Sequence, residues 1–193
     1  MSFSTSGIMR WLRIAGLLIV VLGASVMGAG TSWDGAAQAD AGNTASCLST
    51  KERQFLTLLN DYRVSNGLNR VKVSKSLNVA SWKHSQDMGR RAYFEHETKL
   101  PLPAGQSGPL PWDRMNDAGY RYNTAKAENI AAGHSTALSV FNGWKNSSSH
   151  NQNMLNANFR VIGIGYAQVS GSPYTHYWTT GFGGYVDRAP VCS

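Results

Sequence analysis

The sequence predicts an α+β domain in which helices come first along the chain and strands come last. Apolar residues recur at helical spacing in residues 50–66 and 74–91. Strand-like runs rich in Val, Ile, Tyr, Trp and Thr follow at residues 161–167 and 176–182. Because a parallel βαβ series would alternate the two kinds of element, this order favours α+β. The length of 193 residues suits a single domain.

Residues 1–39 have the features of a secretory signal peptide. Arg10 and Arg13 precede an uncharged apolar stretch that continues to about Ala29. The tripeptide at 37–39, Ala-Gln-Ala, has the small-x-small form that signal peptidase accepts. The alternative is an uncleaved membrane anchor, since the apolar stretch approaches the ~17 residues of a spanning helix. Both interpretations place the rest of the chain outside the cytoplasm, secreted or at the cell envelope.

Cleavage before Asp40 leaves an N-terminal segment at residues 40–48 and a folded domain at residues 49–190. The full sequence carries 18 Lys and Arg against 11 Asp and Glu, and the part after the cleavage site stays basic. This charge favours contact with anionic cell-wall polymers or lipid headgroups, or serves solubility alone. Membrane contact is expected only through that charge or an uncleaved N-terminus. The absence of a dense Lys/Arg run or a zinc-finger signature argues against a nucleic-acid partner.

The two cysteines, Cys47 and Cys192, stand near opposite ends of the predicted domain. In an oxidising compartment they can form a disulfide that closes a loop of about 145 residues. By the loop-entropy argument, such a disulfide stabilises the fold by about 4–5 kcal/mol. A lipid-modified Cys47 is the weaker alternative, because it lies far from the apolar stretch.

The first helix is predicted over residues 50–66 from its caps and its apolar stripe. Ser49 and Glu52 match a capping box, in which each satisfies a free backbone donor at the helix start. Apolar side chains then recur at i, i+3, i+4 and i+7: Phe55, Leu58, Leu59 and Tyr62. Gly67 suits the left-handed position past the helix end.

Ser74 can cap a second helix that ends near Arg91. His84 lies on the apolar face of this helix, so we expect it to be buried and hydrogen-bonded. A loop rich in Pro and Gly covers residues 97–111, and loops of this length are more often functional than incidental. A short helix over residues 112–118 is then predicted to start at the proline that precedes it.

A further helix is predicted from a cap at Ser135 through Trp144, and the polar residues 146–149 are expected to end it. In the strand that follows, Gly163 and Gly165 predict close packing against a neighbouring strand or helix.

Three residues at the ends of predicted elements are candidates for a functional cleft: His96, Glu128 and His150. Two imidazoles and a carboxylate that converge can hold a zinc ion and leave a position for water. The same groups can act as general acid and base, since histidine titrates near neutral pH. They can also be separate polar groups on the surface. Their spacing alone does not choose among these, because no H-E-x-x-H motif is present.

Nucleophilic catalysis has little support in the sequence. Serines at 147–149 lie near His150, but no G-x-S-x-G turn surrounds them. Both cysteines are assigned to the disulfide, which leaves no thiol for a Cys/His hydrolase. The Gly-Ile-Gly at 163–165 lies in a strand with no helix after it, so it does not form a phosphate loop.

An ordered set of short segments resembles the landmarks of the CAP superfamily, in its bacterial SCP-like extracellular branch. The segments are LLNDYR at 58–63, FEH at 94–96, WDRM at 112–115, AENIAAG at 127–133, WKNS at 144–147 and HNQNML at 150–155. The resemblance implies an α-β-α sandwich with a small antiparallel sheet between helices, and a secreted or cell-wall location. It also implies a cleft with two His and two acidic residues. His96, Glu128 and His150 match three of these positions, and Glu97 and Asp113 are the candidates for the fourth.

The family resemblance does not select one reaction, because a fold hosts many functions. Our first hypothesis is a non-catalytic extracellular domain whose cleft binds a divalent cation such as Zn²⁺ or a ligand. That ligand is a cell-wall polymer, a lipid or a small hydrophobic molecule. The second hypothesis is a zinc-dependent hydrolase of peptides, esters or wall polymers, with Glu128 as the catalytic base. The third is a purely structural envelope protein, in which hydrogen bonds among the cleft residues tie helices together.

Overall fold

The computed structural model describes residues 47–101, 106–190 and 192. The predicted signal peptide lies outside these residues. The elements in chain order are α1 Thr50–Ser65, β1 Lys72–Val73, α2 Lys75–Arg90, α3 Pro111–Asp117, β2 Lys126–Ala132, α4 Ala137–Lys145, α5 Ser148–Met154, β3 Val161–Gln168 and β4 His176–Gly183. Within the described ranges, each helix is too short or too polar to cross a bilayer.

One four-stranded sheet with the order β1-β3-β4-β2 forms the middle of the domain. The pairs β3–β4 and β2–β4 are antiparallel, and the two-residue β1 pairs with β3 in parallel. Helix α2 packs against β3 and β4. Side chains from α1, α4 and α5 share a separate apolar core with β3 and β4. The α+β class and the α-β-α sandwich are therefore confirmed.

The capping box of α1 forms as predicted and also attaches the helix to the sheet. Ser49 accepts a hydrogen bond from the backbone N–H of Glu52, whose Oε2 accepts one from the N–H of Ser49. The other oxygen, Oε1, accepts from the backbone N–H of Tyr166 in β3 at 2.6 Å. Glu52 is fully buried. Its carboxylate therefore satisfies donors of both the helix and the strand that it packs against.

Gly163 and Gly165 allow α2 to lie directly on β3, as predicted. A Cβ atom at Gly163 would overlap the backbone of Leu77, and one at Gly165 would overlap the backbone of Ser81. Ser81 Oγ also donates to the carbonyl of Gly163 at 3.3 Å. Any larger residue at these two positions would push the helix away from the sheet.

Arg63, near the end of α1, holds the chain around the end of α5 in place. It is 1% exposed. Its guanidinium donates only to carbonyl oxygens, those of Asn69 at 2.9 Å, Met154 at 2.7 Å, Asn156 at 3.1 Å and Phe159 at 3.2 Å. These contacts join segments that lie more than ninety residues apart in sequence.

One predicted element boundary is wrong. The cap of α4 is Thr136 rather than Ser135, because the Thr136 hydroxyl accepts the backbone N–H of Ser139 at 3.1 Å. The polar residues 146–149 end α4 as predicted, and the last two of them also begin α5. The strand β2, which carries Glu128, was not predicted as a strand.

The predicted disulfide between Cys47 and Cys192 is present, with the two Cα atoms 5.7 Å apart. It closes a sequence separation of 145 residues, which includes every helix and strand of the described domain. The disulfide lowers the conformational entropy of the unfolded chain. By the entropic account, a closed loop of this size stabilises the folded domain by about 4–5 kcal/mol.

Candidate functional site

Two of the predicted cleft residues, His96 and Glu128, meet where the loop after α2 reaches β2. His96 lies in that loop, and Glu128 lies in the first half of β2. The Nδ1 atom of His96 is 2.8 Å from Oε1 of Glu128. The side chain of His96 is 50% exposed, whereas that of Glu128 is 5% exposed. A solvent-facing imidazole is therefore bonded directly to a buried carboxylate.

Arg114 of α3 is the second partner of Glu128, and it was not among the predicted site residues. Its Nη2 atom lies 3.0 Å from Oε1 and 2.7 Å from Oε2 of the carboxylate. Its Nη1 atom donates to the carbonyls of His96 at 2.8 Å and Pro109 at 3.0 Å, and to Thr98 Oγ1 at 3.1 Å. One guanidinium therefore fixes the carboxylate, the backbone that carries His96 and both ends of the loop between α2 and α3.

The environment of Glu128 keeps its carboxyl group ionised. Burial by itself raises the pKa of Glu128, but the hydrogen bond from His96 and the charge of Arg114 together outweigh burial. The pKa of Glu128 therefore lies below its ordinary value. An ionised carboxylate only accepts hydrogen bonds, so a neutral His96 must donate its Nδ1–H to Glu128. In the neutral ring, Nε2 of His96 is then a hydrogen-bond acceptor.

His150, in the first half of α5, is held in the same region through the residue that follows Glu128. Asn129 donates to the carbonyl of His150 at 3.1 Å and accepts from Asn153 Nδ2 at 2.7 Å. The His150 Nδ1 atom lies 2.8 Å from Ser147 Oγ. Burial, and to a smaller extent the nearby His96, lowers the pKa of His150. The imidazole is therefore neutral at pH 7.

Neither candidate for the fourth cleft position contacts the His96–Glu128 pair. Glu97 Oε1 accepts from the backbone N–H of Gly108 at 2.8 Å and so closes the loop. Asp113 Oδ2 accepts from the backbone N–H of Leu110 at 2.9 Å, at the start of α3. Both carboxylates serve local backbone donors. In the described ranges, the charged partner of Glu128 besides His96 is a cation, Arg114.

The other three histidines lie outside the cleft contacts. His84 is buried and its Nε2 atom lies 3.0 Å from the carbonyl of Glu95, which confirms the expected structural position. His134 is half-buried, with Nδ1 2.7 Å from a serine hydroxyl. His176 at the start of β4 lies 2.8 Å from the hydroxyl of Tyr166.

The residues of the cleft do not fit a metal site with three protein ligands. Across residues 47–101, 106–190 and 192, no three His, Cys, Asp or Glu side chains lie in an arrangement that could hold a metal ion. The carboxylate that would be the third ligand is occupied by Arg114. Both cleft imidazoles use Nδ1 in hydrogen bonds, and Nε2 of each makes none to the described residues. Zinc binding by these two nitrogens stays a prediction.

Residues 56–182 match the sequence profile of the cysteine-rich secretory protein family, CAP. The chain belongs to this family. Among curated proteins, this CAP domain is 38% identical over 130 residues to the uncharacterized protein YkwD of Bacillus subtilis, covering 67% of this chain and 47% of YkwD. It is 31% identical over 116 residues to the uncharacterized membrane protein YlbC of the same species, covering 60% of this chain and 31% of YlbC. The chain thus spans less than half the length of these two relatives.

Solved structures show the same fold. The CAP domain superposes on an outer surface protein of Borrelia burgdorferi with a TM-score of 0.60 and 20% identity, covering 72% of this chain and 97% of that one. It also superposes on an extracellular protein containing a SCP domain from Bacillus anthracis, with a TM-score of 0.56 and 26% identity. That match covers 69% of this chain and 40% of the Bacillus protein. These two neighbours are an outer surface protein and an extracellular protein.

Proposed function

We propose that this CAP domain is an extracellular ligand-binding domain that acts at the cell envelope and catalyses no reaction in its cleft. The observation that carries the proposal is the engagement of Glu128 by Arg114 and His96. A general base needs a lone pair that can take a proton from water. Both oxygens of Glu128 accept hydrogen bonds, and its pKa is lowered, which makes it a weak base. The arrangement suits a preorganised recognition surface better than a hydrolytic site.

Export is supported by three independent features. The first 39 residues read as a signal peptide or an anchor. A disulfide joins Cys47 and Cys192, and such bonds persist in oxidising compartments outside the cytoplasm. The similar CAP proteins from Bacillus anthracis and Borrelia burgdorferi are an extracellular and an outer surface protein.

A hydrophilic polymer of the cell wall fits the cleft better than a hydrophobic ligand. The groups that meet there are imidazoles, a carboxylate and a guanidinium, and a hydrophobic molecule would leave them without partners. The sequence carries a net charge of +7. That charge attracts anionic polymers over a distance of about 10 Å at moderate salt. The cleft then supplies the specific contacts, through the free Nε2 atoms of His96 and His150.

Sedimentation with insoluble cell-wall material tests the proposal. We expect the full chain to pellet with the wall, and a His96→Ala/His150→Ala variant to stay largely in the supernatant. His134→Ala is the matched control, since His134 is half-buried like His150 but makes no contact with the cleft residues. Equal pelleting of all three proteins, abolished by salt, would mean that net charge alone holds the domain to the wall, and would contradict a binding cleft.

A turnover assay on the same material separates binding from hydrolysis. The proposal expects no soluble product to accumulate during the incubation. Release of peptide or sugar fragments by the wild type, lost in Glu128→Gln with its fold intact, would establish the hydrolase instead.

Calorimetric titration of zinc tests the metal hypothesis. Saturable binding that disappears in His96→Ala/His150→Ala would place a cation on the two imidazoles and make it part of the recognition surface. Absence of binding would leave the polymer as the ligand of the cleft.

A further inference from the structure

Strand β2, which carries Glu128, lies at one edge of the sheet and pairs only with β4 among the described strands. Two backbone hydrogen bonds mark the ends of this ladder. The N–H of Gly133 donates to the carbonyl of His176 at 2.8 Å. The N–H of Gly184 donates to the carbonyl of Ala125 at 3.1 Å. In an antiparallel pair, residues that bond the partner strand alternate with residues that do not. The odd-numbered residues from 125 to 133 therefore bond β4, and the even-numbered ones point their backbone groups away from the sheet.

The outward backbone groups of β2 are capped at one end and open at the other. Trp144 Nε1 donates to the carbonyl of Ile130 at 3.1 Å, which agrees with an outward carbonyl at an even-numbered position. Because Ile130 is only 6% exposed, the edge is closed at this point. The N–H and C=O groups of Lys126 and Glu128 make no hydrogen bond to the described part of the chain. We call residues 126–128 the open edge.

The backbone of the open edge reaches solvent. The side chain of Glu128 is 5% exposed, but the residue as a whole is half-buried, so the exposed part is its backbone. Lys126 is half-buried as well. The edge therefore presents a donor and an acceptor at each of two positions two residues apart. An unpaired edge of this kind is a template for another strand, because an extended peptide backbone carries the complementary groups at the same spacing.

The cleft residues lie on both faces of the sheet beside the open edge. Successive side chains of a strand point to opposite faces. Glu128 points to the face where it meets His96 and Arg114. Asn129 points to the other face, where it donates to the backbone of His150. A peptide along the edge would therefore have one imidazole on each side. The carboxylate of Glu128 is paired with Arg114, and these two charges cancel, which suits an uncharged main chain better than an anionic one.

We propose that the open edge of β2 binds the peptide part of the wall polymer, which joins the sheet as an added strand. This inference rests on the proposed function and names the chemical group that the cleft holds. The peptide backbone bonds the N–H and C=O groups of Lys126 and Glu128. Its side chains alternate between the two faces of the sheet, where they meet the imidazoles of His96 and His150. The main-chain bonds supply affinity, and the imidazoles supply specificity.

Titration of acetyl-pentathreonine amide into the full, disulfide-bonded chain tests the site, with amide hydrogen exchange as the readout. This probe is uncharged, and threonine favours strands. At saturation, the backbone amides of Lys126 and Glu128 should exchange slower by about tenfold or more. Those of Ala127 and Asn129, already bonded to β4, should exchange as before. The same peptide N-methylated at its third and fourth residues lacks a donor in every register that spans the open edge, so it should bind more weakly by about tenfold or more.

A proline at position 126 removes one outward donor from the protein. Lys126 is the first residue of β2 and its N–H points away from β4, and at such positions a sheet tolerates proline. Lys126→Pro should therefore fold and should weaken peptide binding by about tenfold or more. Lys126→Ala is the matched control, since it removes the same side chain but keeps the N–H, and it should bind like the wild type. The N-methylated peptide keeps the test decisive if Lys126→Pro does not fold.

Three results would each overturn the added strand: no saturable binding, binding with the exchange of Lys126 and Glu128 unchanged, or a folded Lys126→Pro protein that binds as tightly as Lys126→Ala. Slow exchange of these two amides in the free protein, together with a dimeric mass, would show that a second copy fills the edge and would overturn it as well. Wall pelleting that depends on His96 and His150 would survive any of these results. A wild type that does not pellet would instead refute the proposed function, so the two proposals fail separately.

Discussion

Arg63 and Arg114 are both arginines held by several acceptors, but the acceptors differ in kind. Arg63 donates only to backbone carbonyls, which are neutral and fixed by the fold. Arg114 donates to two carbonyls and a hydroxyl, and also to the buried carboxylate of Glu128. The first arginine is a clamp on the backbone. The second connects the backbone to a buried charged group.

The comparison shows that the same residue type can have different roles, depending on its partners. A guanidinium that contacts only carbonyls affects the stability of the fold through its hydrogen bonds. A guanidinium paired with a buried carboxylate also sets the charge and pKa of that partner. Loss of Arg63 should therefore change the stability of the domain without changing the chemistry of the cleft. Loss of Arg114 should change both.

The largest effect is expected for Arg63→Met. Four carbonyls lose their shared donor in a buried place, so the free energy of unfolding should fall by about 4 kcal/mol. Urea denaturation of the disulfide-bonded protein measures this loss. Arg70→Met is the matched control, since Arg70 and its partner Asp61 are both more than half exposed, and its cost should stay below about 0.5 kcal/mol. A loss of less than about 1 kcal/mol in Arg63→Met would contradict the role of a clamp.

Arg114→Met should cost about 3 kcal/mol and also change the titration of Glu128. Without the guanidinium, burial dominates and the pKa of Glu128 should rise above its ordinary value. Carbon NMR of the labelled carboxyl group follows this shift directly. Arg63→Met serves as the comparison, because its effect on the Glu128 pKa should be nil. An unchanged Glu128 pKa in Arg114→Met would show that His96 alone controls the carboxylate.

The two arginine sites should also differ in how their contribution to stability depends on pH. The carbonyl partners of Arg63 do not titrate, whereas the groups near Arg114 do. Burial lowers the pKa of His84 to about 4; Glu128 and Asp87 act against this shift and Arg114 acts with it. Between the ordinary histidine pKa of about 6.5 and the folded value, the unfolded chain binds a proton that the folded chain does not. The stabilisation that depends on a neutral His84 is therefore complete above that range and is lost as the pH falls through it, by about 3 kcal/mol.

Glu128 acts in the same direction at lower pH. Its pKa is lowered in the fold, so its contribution is present above the ordinary carboxyl range and is lost as the pH falls through the folded pKa. Urea denaturation at a series of pH values, beside His84→Gln, distinguishes the two groups. The variant should show a flatter curve than the wild type between about pH 6.5 and 5, and a similar fall below that. Parallel curves would mean that His84 does not control the acid response.

Features set by local sequence were predictable. The capping box at Ser49 and Glu52 is a short-range pattern, and the glycines at 163 and 165 mark a close approach wherever they occur in a strand. The disulfide followed from there being only two cysteines. The α-β-α sandwich was predicted from the ordered segments that resemble the CAP family, because no local sequence pattern predicts how the helices and the sheet are layered.

Features set by long-range contact were not predictable. The sequence pattern of a seven-residue run such as that at 126–132 is compatible with a strand and with a buried helical turn. Its pairing with β4 makes it a strand. His96, Glu128 and His150 were predicted as cleft residues, and the structure brings His96 into contact with Glu128. Arg114 was missed because its partners come from separate segments. One signal was available. A carboxylate expected to be buried requires a cation, and Arg114 lies within one of the segments that resemble the family.

The covalent link between Cys47 and Cys192 also decides how the domain responds to force. Tension applied through the residues on either side of these two cysteines passes directly across the sulfur–sulfur bond. The hydrogen bonds between β1, β3, β4 and β2 carry none of that load while the bond is intact. A pull applied at Cys47 and Cys192 from outside the closed loop would therefore leave the sheet folded, and reduction of the disulfide would expose the sheet to the same force.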